Sequence, residues 1–127
     1  MNFNTLPLHE KNAKLLYAAQ VGDLVYVKQL LKAGANLYHT NKEGNTPLIL
    51  AAAAGHPDLV HALLPRAVDL NYVNYSNKDG NTALILAALE GRSDVVQMLL
   101  DHEADSNFQN KTGNTALMIA AAEGHLN

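Results

Sequence analysis

The chain of 127 residues has no cysteine, which excludes disulfide bridges and thiolate metal sites. That absence fits a reducing compartment. Serine is rare, at positions 76, 93 and 106, and Ser93 stands just before a helical stretch, where capping explains it. There is no Gly-x-Ser-x-Gly elbow, no Walker phosphate loop and no paired acid–base constellation. No catalytic residue is therefore assigned, and the chain is expected not to be an enzyme. A basic excess is also missing: the net charge of −3 argues against nucleic acid as a partner. Long apolar runs are absent too, since a stretch such as Leu48 to Ala54 falls far short of the roughly 18 residues of a membrane span. The first seven residues lack the basic cluster and apolar core of a signal peptide. A soluble, cytoplasmic protein is expected, or one acting in a host cytosol if exported by another route. The histidines at 9, 39, 56, 61, 102 and 125 include no pair at helical i, i+4 spacing. Neither a metal site nor a cofactor is expected.

What the chain does have is repetition. Gly44-Asn45-Thr46-Pro47-Leu48-Ile49-Leu50-Ala51-Ala52 returns as Gly80-Asn81-Thr82-Ala83-Leu84-Ile85-Leu86-Ala87-Ala88, then as Gly113-Asn114-Thr115-Ala116-Leu117-Met118-Ile119-Ala120-Ala121. The copies begin 36 and 33 residues apart, and a period in the low thirties signals stacked repeats. A weaker copy, Leu15-Leu16-Tyr17-Ala18-Ala19, precedes them without the Gly-Asn-Thr turn. Lys11, Lys14 and Gln20 make that first copy polar, as suits a terminal cap with one face in water.

Within a copy the local chemistry specifies a helical hairpin. Thr46 suits a helix N-cap, Pro47 the first helical position and Gly55 a left-handed exit. Pro57-Asp58 then starts a second helix, whose Leu59, Val60, Leu63 and Leu64 form an apolar stripe. The stripe recurs as Tyr26, Val27, Leu30, Leu31 and as Val95, Val96, Leu99, Leu100. Asn41-Lys42-Glu43-Gly44, Asn77-Lys78-Asp79-Gly80 and Asn110-Lys111-Thr112-Gly113 suit tight turns and are expected to project as a row of fingers.

Gly44-Asn45-Thr46-Pro47-Leu48, Ala51-Ala52, Gly55-His56, Leu63-Leu64 and Asp69-Leu70-Asn71 together closely resemble the ankyrin repeat family. The resemblance runs from about Lys11 to the end. It implies an all-α solenoid of about three and a half helix–turn–helix repeats with hairpin-like fingers. The expected divisions are a lead-in over 1–10, a capping repeat over 11–38, repeats over 39–73 and 74–108, and an incomplete repeat over 109–127. The family often places His after Thr-Pro-Leu for inter-repeat hydrogen bonds. Leu16, Ile49, Ile85 and Met118 stand there instead, so apolar packing is expected to replace them. Pro65-Arg66-Ala67-Val68 departs from the usual Gly-Ala ending and is expected to stop its helix early. At Gly124-His125-Leu126-Asn127 a further helix is due, and an uncovered apolar side there is expected to belong to a piece of a longer protein.

The resemblance places partner contacts on the finger tips and first helices. Those positions are Lys42, Glu43, Asn45, Ala53 and Ala54, then Lys78, Asp79, Asn81, Leu89 and Glu90, then Lys111, Thr112, Asn114, Ala122 and Glu123. Leu89 is the one large apolar residue among them; each lysine reads equally as a solvated turn residue. The linker into the Asn77 finger is three residues longer than its counterparts and carries Tyr72 and Tyr75. They read either as interface anchors or, for Tyr72, as packing on the helices behind a neutral loop. Asn71 and Asn107 resemble the asparagines hydroxylated in ankyrin repeats, although a turn-stabilising role is the reading that comes first for both.

The resemblance implies a module that binds another protein, with no nucleic-acid or membrane partner. An alternative is the recognition arm of a larger multidomain protein, such as a bacterial effector delivered to host cytosol. The chain is expected to be a monomer, with self-association through an uncovered C-terminal end as a further alternative.

Overall fold

The computed structural model describes residues 3–64 and 70–124. A 3-10 turn, Phe3–Thr5, leads into α1 (Leu8–Val21) and α2 (Leu24–Lys32). Then follow α3 (Pro47–Ala54), α4 (Pro57–Leu63), α5 (Leu70–Val73), α6 (Ala83–Leu89), α7 (Ser93–Asp101) and α8 (Ala116–Ala122). No strand occurs among the described residues. α1, α3, α6 and α8 stack in that order as one layer, and α2, α4 and α7 form the second.

Apolar periodicity produces both layers. Alanines 18, 19, 51, 52, 87 and 88 are all buried, and their small side chains let neighbouring helices approach closely. Ile49 and Ile85 are buried where a histidine was the family alternative, so apolar packing does hold the internal junctions. Leu16 is half-buried and Met118 is exposed at the same position in the terminal units.

Each repeated first helix starts on a threonine cap. The hydroxyls of Thr46, Thr82 and Thr115 accept the amides of Ile49, Ile85 and Met118 at 3.2, 3.2 and 3.3 Å. Thr46 and Thr82 are buried, whereas Thr115 is half-buried. Thr46→Ala and Thr82→Ala are each expected to lower stability by about 1–2 kcal/mol, and Thr115→Ala by about 0.5 kcal/mol. Urea denaturation of the three variants measures this order, and equal losses would refute the role of burial.

Several local expectations need correction. α1 begins at Leu8, inside the stretch expected as lead-in, because the Pro7 carbonyl accepts the amides of both Glu10 and Lys11 at 3.1 Å. Ser93 is the first residue of α7 rather than its cap; Arg92 holds the cap position without a side-chain capping bond to α7. α4 ends at Leu63 after seven residues, against nine in α2 and α7, as expected of an early stop. Residues 65–69, and so the Pro65 segment credited with that stop, lie outside the described residues, as do 125–127.

Candidate functional site

The fingers are built from a repeated asparagine motif. Asn41 Oδ1 accepts the amides of Glu43 and Asn45 at 3.1 and 3.0 Å. Asn77 does the same for Asp79 and Asn81, and Asn110 for Thr112 and Asn114. One short side chain thereby closes each turn, and in the later two fingers its Nδ2 reaches the preceding finger. Asn77 Nδ2 donates to Asn45 Oδ1 at 2.8 Å, and Asn110 Nδ2 donates to Asn81 Oδ1 at 2.8 Å. The backbone adds Lys78 N–H to the Glu43 carbonyl at 2.9 Å and Lys111 N–H to the Asp79 carbonyl at 3.1 Å.

This ladder fixes the tips in one row, with Lys42, Glu43, Lys78, Asp79, Lys111, Thr112 and Asn114 all exposed. Asn45 and Asn81, expected as contact residues, are half-buried rungs of the ladder. The recurrence of Asn at 41, 77 and 110 was the available signal for the ladder, but repetition does not reveal which way an amide points.

A second reach-back joins the units at the helix ends. His56 Nε2 lies 2.9 Å from the Gln20 carbonyl, and Arg92 Nε donates to the Ala53 carbonyl at 3.2 Å. Both side chains cross the closing glycine of the preceding unit, Gly22 or Gly55. His56 thus acts at the junction between units.

The expected first-helix strip is wider than Leu89 and Glu90. Positions i, i+3 and i+4 of a helix share one face. Leu86 therefore sits with Leu89 and Glu90, as Leu50 sits with Ala53 and Ala54 and Ile119 with Ala122 and Glu123. Leu50, Leu86 and Ile119 are half-buried, Leu89 is 37% exposed, and Tyr17 at the same register on α1 is 66% exposed. Stacking of α1, α3, α6 and α8 aligns these side chains as one partly exposed apolar row. Ala53 and Ala54 are half-buried; Glu90, Ala122 and Glu123 are exposed.

Tyr72 is not a surface anchor. The longer linker folds into the single turn α5, which buries Tyr72 to 1% exposure. Its ring meets Tyr38 edge-on, with centroids 4.9 Å apart and an interplanar angle of 73°. Burial pushes the Tyr72 phenol well above its ordinary pKa, opposed by hydrogen bonding to the Leu48 backbone and the Thr46 side chain. Tyr75 is half-buried and packs against the core. The inserted Asn74 is not slack either, since its Oδ1 accepts the Asp105 amide at 2.8 Å.

Asn71 and Asn107 are both exposed, Asn71 within α5 and Asn107 in a turn closed by its own amide on Asp105 Oδ1 at 2.9 Å. Asp69, the acidic residue of the Asn71 motif, lies outside the described residues. Among the described residues, no three His, Asp or Glu side chains cluster as metal ligands.

A family model described as ankyrin repeats, in three copies, matches residues 15–110 and again 72–127. The chain belongs to the ankyrin repeat family. The ankyrin repeats are also similar to mouse "Ankyrin repeat, SAM and basic leucine zipper domain-containing protein 1", 37% identical over 68 residues. That match covers 54% of this chain and 14% of the mouse protein. The proteins of that name from Nomascus leucogenys and Rhinolophus ferrumequinum are each 36% identical over 67 residues, covering 53% of this chain and 14% of theirs. The match thus spans about a seventh of the length of these curated relatives. Ankyrin repeats generally serve as protein–protein interaction modules, and no described helix here is long and apolar enough to cross a membrane.

Proposed function

We propose that this ankyrin stack binds a protein partner along its first-helix strip, with the finger tips fixing orientation. The observation that carries this reading is the apolar row of Tyr17, Leu50, Leu86, Leu89 and Ile119, left partly open along the first-helix layer. Partly exposed apolar side chains on a rigid scaffold lose little entropy on binding. The charged tips supply polar contacts at the rim, which favour orientation over affinity. Tyr72 drops out as an anchor; Tyr75 stays as a peripheral contact.

The test places a photo-crosslinking residue at Leu89 and captures partners from cytosolic extract. Leu86→Lys is expected to reduce capture of the crosslinked protein by about tenfold, the equivalent of roughly 1.4 kcal/mol. Lys28→Ala on the exposed side of α2 is expected to leave it unchanged. Capture that survives Leu86→Lys would remove the strip from the reading.

The second reading is that the stack is the recognition arm of a larger multidomain protein. It is favoured by relatives whose names join ankyrin repeats to SAM and basic leucine zipper domains. Asn71 and Asn107 remain proposed hydroxylation positions on accessible backbone. A mass spectrum of protein from eukaryotic cells that lacks one added oxygen on both would remove them.

A further inference from the structure

The apolar strip along the first helices has an edge that turns acidic against local stability. Val21, Ala54, Glu90 and Glu123 share one register position, where each first helix ends. Val21 and Glu90 are exposed although another first helix stacks after each, so the register itself leaves this edge open. Glu90 and Glu123 hold the C-cap positions of α6 and α8. The carbonyl end of a helix carries partial negative charge, which disfavours an acid there. Among the described residues neither carboxylate has an ion-pair or hydrogen-bond partner. Asp94, across the short turn into α7, adds a further exposed acid. Arg92 lies in that turn, but its Nε donates to the Ala53 carbonyl and its side chain lies over Gly55. On the other side of the strip the finger tips carry both signs, Lys42 with Glu43 and Lys78 with Asp79. The helix-end edge therefore sets the sign of what fits.

The width and period of the strip set its shape. On α3 only Leu50, Ala53 and Ala54 escape full burial, and on α6 only Leu86 and Leu89, with Glu90 following. Positions i to i+4 of a helix cover about 6 Å along its axis, whereas a whole helix with its side chains is about 10–12 Å across. The band is thus as wide as one extended chain and narrower than a helix. Packed helices lie about 8–10 Å apart. Three residues of extended chain cover about 10 Å, which brings every third side chain over one unit.

We infer that the strip takes a single extended segment of a partner protein, apolar at every third residue and basic at one end. The inference rests on the strip being the binding surface, and it names the occupant. Apolar side chains of the segment meet Tyr17, Leu50, Leu86 and Ile119 in turn. Its Lys or Arg residues lie over α6 and α8, on the side of Glu90 and Glu123. Over α1 and α3 the same edge offers Val21 and Ala54, so that end of the segment is uncharged.

The test titrates the isotope-labelled chain with a synthetic peptide that has leucine at every third position. Lysine stands between the leucines of one half and serine between those of the other. Amide shifts are expected along α1, α3, α6 and α8, with the bound peptide extended by its own nuclear Overhauser contacts. Affinity is expected to fall as salt rises. Glu90→Gln with Glu123→Gln is expected to weaken binding by about threefold, the worth of two exposed ion pairs, and to flatten that salt dependence. The same double variant is expected not to lower the midpoint of urea unfolding, because both acids oppose their helix dipoles. Equal binding of a glutamate-for-lysine peptide would overturn the proposal. So would equal binding of a peptide of the same composition with leucine at every fourth position, or a bound peptide that is helical. If no peptide binds but the Leu89 crosslink is still lost in Leu86→Lys, the strip stands and the extended basic occupant falls. If the crosslink also survives Leu86→Lys, the strip falls with it.

Discussion

Tyr72→Ala is expected to lower the stability of the stack by about 3–5 kcal/mol, as removal of a large buried aromatic does. Domains are stable by only about 5–15 kcal/mol, so this single truncation takes a large share. The reason lies in what the ring touches. It is 1% exposed, meets Tyr38 edge-on, and its hydroxyl lies beside Thr46 and Leu48 at the start of α3. Loss of the ring therefore loosens α5 and the capped end of α3 together. Tyr72→Phe isolates the hydroxyl and is expected to lower stability by about 1 kcal/mol. Tyr75→Ala, at a half-buried position, is expected to fall well below Tyr72→Ala. Urea denaturation followed by circular dichroism measures all three. A Tyr72→Ala curve that overlays the parent curve would show that the ring contributes no packing. A binding assay that joins Tyr72→Ala to Tyr75→Ala would report unfolding, so Tyr75 has to be varied alone.

The contrast between those tyrosines marks where the sequence was legible. Gly44, Gly80 and Gly113 with their threonine caps announced the units, because turn and cap chemistry acts within a few residues of its own position. The apolar stripes announced the second helices for the same reason. Tyr72 was ambiguous because it lies in an insertion, where the repeat register lapses and no neighbouring copy says which way the side chain faces. The ladder role of Asn45 and Asn81 was not legible for a related reason. Their partners, Asn77 and Asn110, lie 32 and 29 residues away in sequence and become neighbours only once the fingers stack. Leu86 escaped notice because it resembles a core leucine; only stacking shows that α3, α6 and α8 each leave this position partly open.

Gly80→Ala and Gly113→Ala separate two costs that the finger sequence superimposes. Both glycines are left-handed, at φ +77° and +82°, so an added Cβ strains each backbone by about 1–2 kcal/mol. At Gly113 that is the whole effect, because nothing lies within 4 Å of the new carbon. At Gly80 the carbon would sit 2.8 Å from the Lys111 amide nitrogen and 3.1 Å from Asn110 Cα. Both are backbone atoms that cannot rotate aside. Lys111 N–H is the donor to the Asp79 carbonyl, and Asn110 carries the side chain that bonds Asn81. Relief of the clash therefore pulls the Asn77 and Asn110 fingers apart and breaks two hydrogen bonds, each worth about 1 kcal/mol. Gly80→Ala is expected to exceed Gly113→Ala by about 2 kcal/mol for that reason. Hydrogen exchange adds a local readout: the Lys111 amide is expected to lose protection in Gly80→Ala and to keep it in Gly113→Ala. Equal losses in the two variants would mean that the fingers are set by their own turns and that the ladder between them contributes nothing. The row of tips proposed to orient a partner would then lack its common support.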